Sequence, residues 1–351
     1  MISGEWKALP SWLSNEGPET DVVVSTRVRL ARNLAQRSFP ARCSSPERTQ
    51  VFEDITNSLK SSSRFRGYEY LNFSSLPELH QRALVERRAG SAELLKAQGD
   101  RGVVTGDRFR VCIMINEEDH IRIQCFLSGC LPEAAWGTVS EIDDDIGSSL
   151  EIAYDSRRGF LTSCATNSGT GLRISFLLHL PALILTRSID QVLQAVTQMG
   201  VSVRGFFGEH SDVIGAFFQL SNHAAMGAEE EQFVADTHGT VQEVMRLERE
   251  ARESIVNDAR EELEDKVYRA CGALRYARLL ELNECISLLS ALRLGLHCGI
   301  VQRPAPGRLN ELLLDCLPAH MQMELGRGMD DDEINRHRAE RARSFMEEWN
   351  I

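Results

Sequence analysis

The chain lacks the features that would place it in a membrane, a secretory route or a metal-binding scaffold. Its nine cysteines include no CxxC pair, which argues against a zinc site and for a reducing compartment. The first twenty residues, MISGEWKALPSWLSNEGPET, have neither a basic start nor an apolar core, so no secretory signal is expected. The longest apolar run, Ile174 to Leu185, is too short to cross a bilayer and contains His179 and Pro181. No repeat, no low-complexity tract and no GxxxxGK[ST] phosphate loop occurs. Positive charge is in deficit, with 39 Lys and Arg against 51 Asp and Glu, a net charge of −12 and a pI near 5.3. That excludes general nucleic-acid binding, so any anion site must be local. What is left is an ordinary globular composition, 42% hydrophobic and 26% charged, on 351 residues. Two domains in the cytoplasm are the expectation, with neither membrane nor nucleic acid as partner.

Against that acidic background one stretch stands out, VVVSTRVRLARNL from Val22 to Leu34. Val22 to Leu30 reads as a strand because it is β-branched and alternates. A period of two puts Val24, Thr26, Val28 and Leu30 on one face and Ser25, Arg27 and Arg29 on the other. Further strands are expected at Phe109 to Ile115, His120 to Leu127, Gly159 to Ser163, Leu172 to Leu178, Val201 to Phe207 and Ile214 to Leu220. Helices are expected at Glu47 to Ser61, Ile189 to Met199 and Glu229 to Val256, the last with Phe233, Val241, Val244 and Leu247 as its apolar stripe. Beyond that helix the pattern is helical throughout, with Leu279, Leu282, Ile286 and Leu289 at spacings of three and four. The reading is an α+β domain followed by an all-helical one.

Three more segments set arginine on a strand near unusual chemistry. RVCIMINEEDHIRIQ, Arg110 to Gln124, reads as two strands joined by the acidic turn Asn116–Asp119, with Arg122 beyond it. GFLTSCATNSGTGLRIS, Gly159 to Ser175, ends a strand at Cys164 and re-enters regular structure at Arg173. VSVRGFFGEHSD, Val201 to Asp212, runs from Arg204 to a Gly208-Glu209-His210 loop. Taken singly, each has a bland reading. Two arginines on a strand make a solvated face, the acidic tetrapeptide a surface turn, Cys164 a small core residue, and His210 a structural or exposed histidine. Taken together they are what phosphoryl transfer to a cationic acceptor requires. Arginines neutralise a triphosphate through charge-assisted bonds, and carboxylates hold the acceptor and take its proton.

The motifs are also specific as a set. SxRxR at Ser25 to Arg29, NEEDHIR at Asn116 to Arg122, CxTNxGT at Cys164 to Thr170 and RGxxGE at Arg204 to Glu209 occur in the order and approximate spacing of the phosphagen (guanidino) kinases. More narrowly, the chain resembles the bacterial protein-arginine kinases, the McsB family. The resemblance covers Val22 to Arg252 and, more loosely, the helical tail. It implies a phosphagen-kinase-like antiparallel sheet with flanking helices in a catalytic domain, 21–252. A short N-terminal segment, 1–20, precedes it and an all-helical domain, 253–351, follows. Only about twenty residues precede SxRxR, where kinases of small guanidines carry a helical domain, and this favours a protein acceptor.

Roles carried over by the resemblance are these. Arg27, Arg29, Arg122, Arg173 and Arg204 contact the ATP phosphates with help from Ser25, and Arg88 stands where the family has a nucleotide-contacting histidine. Glu118 and Glu209 clamp the acceptor guanidinium, Cys164 polarises it as a thiolate, and Glu117 reaches the Mg²⁺ shell through water. ATP and Mg²⁺ are the implied cofactors. The implied partners are proteins bearing exposed arginines, a zinc-binding activator, a Clp-type protease system and a second copy of the chain, in a setting of protein quality control. Two alternatives stand beside this reading: a kinase of free arginine or another small guanidine, and a catalytically weak adaptor that binds phosphoarginine proteins. Departures from the family pattern are Ala165 in place of proline, His210 in place of glycine, and INRHRA, Ile334 to Ala339, in place of the regulatory RDxxRA.

Overall fold

The structure is a computed structural model that describes residues 8–206 and 213–350. Its strands are β1 (Val23–Arg32), β2 (Glu69–Asn72), β3 (Gly102–Gly106), β4 (Val111–Ile115), β5 (Ile121–Ser128), β6 (Tyr154–Asp155), β7 (Gly159–Phe160), β8 (Leu172–His179), β9 (Val201–Gly205) and β10 (Phe217–Asn222). Eight of them form one sheet in the order β2-β3-β4-β5-β1-β8-β10-β9, while β6 and β7 make a separate hairpin. The helices are α1 (Ser45–Ser61), α2 (Glu78–Glu86), α3 (Ala92–Lys96), α4 (Pro132–Gly147), α5 (Pro181–Leu185), α6 (Ile189–Gln198), α7 (Glu230–Asp258), α8 (Arg260–Tyr276), α9 (Leu282–His297), α10 (Pro306–Asp315), α11 (Pro318–Leu325) and α12 (Asp331–Glu348). Among the described residues no helix is long and apolar enough to cross a membrane.

The chain divides into two compact units. The first holds residues up to 12, 25–175 and 221–238; the second holds 13–24, 176–220 and the chain from 239 onward. In the first unit, β2 to β5 form an antiparallel meander and β1 pairs antiparallel with β5. The β1–β5 register sets Arg27 opposite Phe126, Arg29 opposite Gln124 and Ala31 opposite Arg122. The alternation expected from the sequence is present: Thr26, Val28 and Leu30 are fully buried, while Arg27 and Arg29 are half-buried. Helix α1 starts at Ser44, whose side chain accepts from the Glu47 amide, and Pro46 occupies its first turn. It buries Val51, Ile55 and Leu59, four residues apart on one face. Helix α4 buries Ala135, Val139, Ile142 and Ile146 at spacings of four, three and four.

The second unit is mostly helical. Helices α8 and α9 bury Leu263, Val267, Cys271 and Leu274 on one side and Cys285, Ile286, Leu289 and Leu292 on the other. A capping box between Asp330 and Glu333 opens α12. Leu279, expected on the apolar face of a helix, lies in the connection before α9 and is 60% exposed. The strand expected from Gly159 to Ser163 stops at Phe160, and Cys164 sits in a turn beyond it. The two backbones run close together here: a Cβ on Gly159 would lie 2.4 Å from the Gly169 carbonyl oxygen.

Candidate active site

The arginine cluster is built on β1. Its alternation sends Arg27 and Arg29 to the same face, and Arg27 is held there on two sides. Its Nε donates to Ser175 Oγ on β8 at 3.2 Å, and its guanidinium lies 5.5 Å from the centre of the Phe126 ring. Burial, then the charges of Arg29, Arg88, Arg173 and Arg122, push the Arg27 pKa well below its ordinary value. Four guanidinium groups are therefore close enough to Arg27 to oppose its charge in a chain that is acidic overall. Crowding of like charge is unfavourable unless an anion is to be received. Ser25 is buried at the start of this face, opposite Ser128.

Arg88 joins the cluster from the end of α2, in a left-handed backbone conformation with φ of 62°. Its carbonyl accepts from Gln124 Nε2 at 2.8 Å, and its guanidinium stands 4.9 Å above the Trp12 ring. Burial lowers its pKa to about 10. Trp12 in turn packs 6.3 Å from Phe126 and donates its indole N–H to the Arg87 carbonyl. Two aromatic rings thus underlie Arg27 and Arg88, an arrangement in which cation–π attraction helps to hold desolvated guanidinium groups in place. Arg173 on β8 donates to Ser221 Oγ on β10 at 3.0 Å. Arg204, on β9, is half-buried and belongs to the second unit.

The β4–β5 hairpin carries the carboxylates. Its turn closes with the Asn116 amide donating to the His120 carbonyl, and Asn116 takes the left-handed conformation that asparagine tolerates, with φ of 58°. Arg122 is 8% exposed. Its Nη1 donates to Glu117 Oε1 at 2.5 Å and its Nη2 to Glu118 Oε2 at 3.0 Å. Burial opposes the charge of Arg122, but Glu117 and Glu118 outweigh it and hold the guanidinium pKa above its ordinary value. Glu118 is the more open of the two carboxylates, with its side chain 36% exposed. Its pKa is raised by burial and by the charges of Asp119, Glu117 and Glu93, with Arg122 pulling the other way.

Glu117 is wholly buried and its oxygens are taken by protein donors. Oε1 accepts from Ser91 Oγ at 2.5 Å as well as from Arg122, and Oε2 accepts from the Glu118 amide at 2.7 Å. In this conformation Glu117 anchors Arg122, and it presents no exposed oxygen to a metal's water shell. Among the described residues, no group of three or more His, Cys, Asp or Glu side chains is placed to hold a metal ion.

The Cys164 loop lies against this hairpin. Cys164 is half-buried, its Sγ is 3.0 Å from Thr166 Oγ1, and its carbonyl accepts from Thr162 Oγ1. The adjacent Ser163 donates its amide to Asp119 Oδ1 at 2.7 Å and its hydroxyl to the Glu118 carbonyl at 2.7 Å. The far end of the loop is held by Arg32, a fully buried arginine whose Nη1 donates to the Thr170 carbonyl. Its Nε and Nη2 grip Asp143, and it lies 3.5 Å from the Phe160 ring centre. Gly169 permits the loop's close passage, since a Cβ there would meet the Ala225 carbonyl oxygen at 2.4 Å. Glu209 and His210 lie outside the described residues.

The first unit therefore brings together Ser25, Arg27, Arg29, Arg88, Arg122, Arg173, Glu117, Glu118 and Cys164. Sequence reasoning did not find Trp12, Asn33, Ser91, Asp119, Phe126 or Ser163 as supporting residues. Asp119 sits inside the acidic motif and Asn33 directly follows the arginine strand, so proximity to a motif was the available signal.

Comparison with known proteins bears out the resemblance. Residues 50–251 match the family model for the ATP:guanido phosphotransferase C-terminal catalytic domain, and residues 260–350 match the protein-arginine kinase McsB C-terminal domain. The chain is 38% identical over 331 residues to a protein-arginine kinase of Brevibacillus brevis, covering 94% of this chain and 93% of that protein. It is 40% identical over 345 residues to one of Geobacillus kaustophilus, covering 97% and 95%. Among solved structures, lombricine kinase shares the fold, with a TM-score of 0.60 at 23% identity over 69% of this chain and 71% of that one. Two family matches that follow one another along the chain, and relatives aligned along nearly their whole length, leave one conclusion: this chain belongs to the protein-arginine kinases of the ATP:guanido phosphotransferase family.

Proposed function

We propose that this protein transfers the γ-phosphoryl group of MgATP to the guanidinium of arginine side chains in proteins. The observation that carries the reading is the crowding of Arg27, Arg29, Arg88, Arg122 and Arg173 beside a turn bearing Glu118 and a loop bearing Cys164. A polyanion relieves the repulsion among the arginines, and a cation is received by the carboxylate. The names of the relatives supply the acceptor.

In this reading Arg27, Arg29, Arg88, Arg122, Arg173 and Arg204, with Ser25, bind the phosphates. Glu118 and Glu209 clamp the acceptor, and Cys164 polarises it. Glu117 acts chiefly by holding Arg122 in place, and Mg²⁺ arrives as part of the substrate. A guanidine nitrogen attacks the γ-phosphorus, the bond to the β–γ bridging oxygen breaks, and ADP departs. A guanidinium pKa above 12 means that prior deprotonation at neutral pH costs at least ~7 kcal/mol. The proton therefore leaves as the N–P bond forms, and Glu118 takes it. Burial and the neighbouring carboxylates that raise the Glu118 pKa make it a better base than an ordinary glutamate. Alignment and charge neutralisation supply the rest of the acceleration.

The same reading divides the chain into a catalytic domain, 21–252, and a helical domain, 253–351, and places it in the cytoplasm. It extends to a zinc-binding activator, a Clp-type protease system, a homodimer and a role in protein quality control, all supported by family membership alone. Incubation with MgATP, an unstructured arginine-bearing protein and free L-arginine, followed by mass spectrometry at neutral pH, tests it. Acid-labile phosphate on protein arginine is the expected result. Phosphorylation of free arginine alone, or of neither, overturns it.

A further inference from the structure

Resting on the assignment of Glu118 and Cys164 above, we infer that Asn33 is a positioning residue that sets the separation of these two acceptor-side groups. Asn33 is fully buried directly after β1, the strand that carries Arg27 and Arg29. Its Nδ2 donates to Asp119 Oδ1 at 2.6 Å and to the Leu161 carbonyl at 3.1 Å. Its Oδ1 accepts from the His120 amide at 2.9 Å, and its carbonyl accepts from the Ala153 amide at 2.7 Å. One carboxamide therefore grips the hairpin turn just past Glu118 and the segment that leads into Cys164.

The link is completed by Ser163. Asp119 Oδ1, already bonded to Asn33, also accepts the Ser163 amide, and the Ser163 hydroxyl returns to the Glu118 carbonyl. Asn33 and the residue before Cys164 thus donate to one carboxylate oxygen of the residue after Glu118. Asp119 and His120 are fully buried, as Asn33 is. The Asn33 bonds to Asp119 and His120 are shielded from water and so stiffer than the same bonds on a surface, and a partly satisfied network is costly. A guanidinium seated between a carboxylate and a thiol needs their spacing held to a fraction of an ångström, and a misplacement of 1 Å costs roughly 100-fold in rate. The phosphate cradle depends on other contacts: Ser175, Phe126 and Trp12 support Arg27 and Arg88, and Glu117, held in turn by Ser91, anchors Arg122. Asn33 should therefore influence turnover and leave nucleotide affinity alone.

The test is a double-mutant cycle of Asn33→Ala with Glu118→Gln, read as kcat on an arginine-bearing protein and as Kd for ATP. Asn33→Ala is expected to lower kcat about 100-fold with Kd for ATP unchanged, and to add almost nothing in the Glu118→Gln background, because it acts through a group already removed. Ser163→Ala supplies a variant that does not threaten folding, since Ser163 is exposed. It should lower kcat about tenfold at unchanged melting temperature, and Ser163→Thr, which keeps the hydroxyl, should restore most of the loss. If Asn33→Ala costs the same factor in both backgrounds, or weakens ATP binding in parallel with kcat, Asn33 is merely structural and the inference fails. Unimpaired Ser163→Ala fails it as well. A Glu118→Gln enzyme with near wild-type turnover fails the underlying assignment instead, so the two failures are separable.

Discussion

Glu118→Gln removes one negative charge from the hairpin turn while preserving its shape. If Glu118 accepts the guanidinium proton as phosphoryl transfer proceeds, kcat should fall by roughly 10²–10⁴, the range spanned by general-base residues, which corresponds to about 2.7–5.5 kcal/mol of barrier. The structure sets the controls. Arg122 loses its partner at 3.0 Å but keeps Glu117 at 2.5 Å, so its place in the phosphate cradle should survive and Kd for ATP should change by less than about threefold. Stability should not fall either. The Glu118 pKa is raised on folding, chiefly by burial. Ionising Glu118 therefore carries a penalty in the folded state, one that is relieved as pH drops through the raised pKa. Glutamine removes the penalty, so the melting temperature at neutral pH should hold or rise slightly. For the same reason wild-type kcat/KM should decline on the acid side as pH falls through the raised Glu118 pKa. Steady-state kinetics by neutral-pH mass spectrometry, calorimetry for ATP and a thermal melt supply the three readings. Turnover within tenfold of wild type would refute the argument, and a matching loss of ATP affinity would show that Glu118 acts through Arg122.

Arg122→Ala should behave differently, because it leaves Glu117 ionised and buried without its charged partner; the expected loss is about 3–5 kcal/mol, seen as a lower denaturation midpoint. The double variant Glu117→Gln with Arg122→Met should regain most of that stability and still fail to bind ATP, and recovery of ATP binding would contradict the cradle assignment. Tripolyphosphate should raise the wild-type melting temperature, by an amount equivalent to about 2.7 kcal/mol at a hundred times Kd. Arg27→Met should abolish that response without lowering the unliganded melting temperature, since it removes a crowded charge. Cys164→Ala should lower kcat by at least tenfold with ATP affinity intact, and parallel loss of both would assign Cys164 a structural part.

The elements that were legible in the sequence are those with a strong period. β1 declares itself through alternating β-branched residues, and α1 through a serine cap, an early proline and apolar residues four apart. β2 and β3 escaped notice for physical reasons. Glu69–Asn72 is a short strand at the edge of the sheet and none of its residues is fully buried. In β3 the glycines that look like turn residues serve packing: a Cβ on Gly102 would meet Phe52 at 2.7 Å, and one on Gly106 would meet Tyr68 at 2.6 Å. α4 was available from its proline and its four-three-four spacing, but the acidic run Asp143 to Asp145 obscures the pattern. The site divides in the same way. Arginines and carboxylates at motif spacing were readable, whereas the anchoring of Arg122 by a carboxylate across the turn, the Trp12 ring under Arg88 and the Asn33 link depend on folding. They join residues whose separation in sequence carries no period.

Arg338 has a consequence for how the far end of the chain can be cut or extended. It is 1% exposed on α12, and its guanidinium donates to the carbonyls of Cys316, at the end of α10, and Leu280, just before α9. The Leu280 amide donates back to the Asn335 carbonyl. A positive charge is thus spent on two backbone oxygens, one of them at the C-terminus of α10, where it is electrostatically favoured. Helix α12 also buries Ile334, Ala339, Ala342, Phe345 and Met346. It is a clasp on the helices before it and cannot be shortened like a dangling tail. Truncation before Asp331 would uncover an apolar strip and orphan carbonyls together, and the shortened protein should be prone to proteolysis and aggregation.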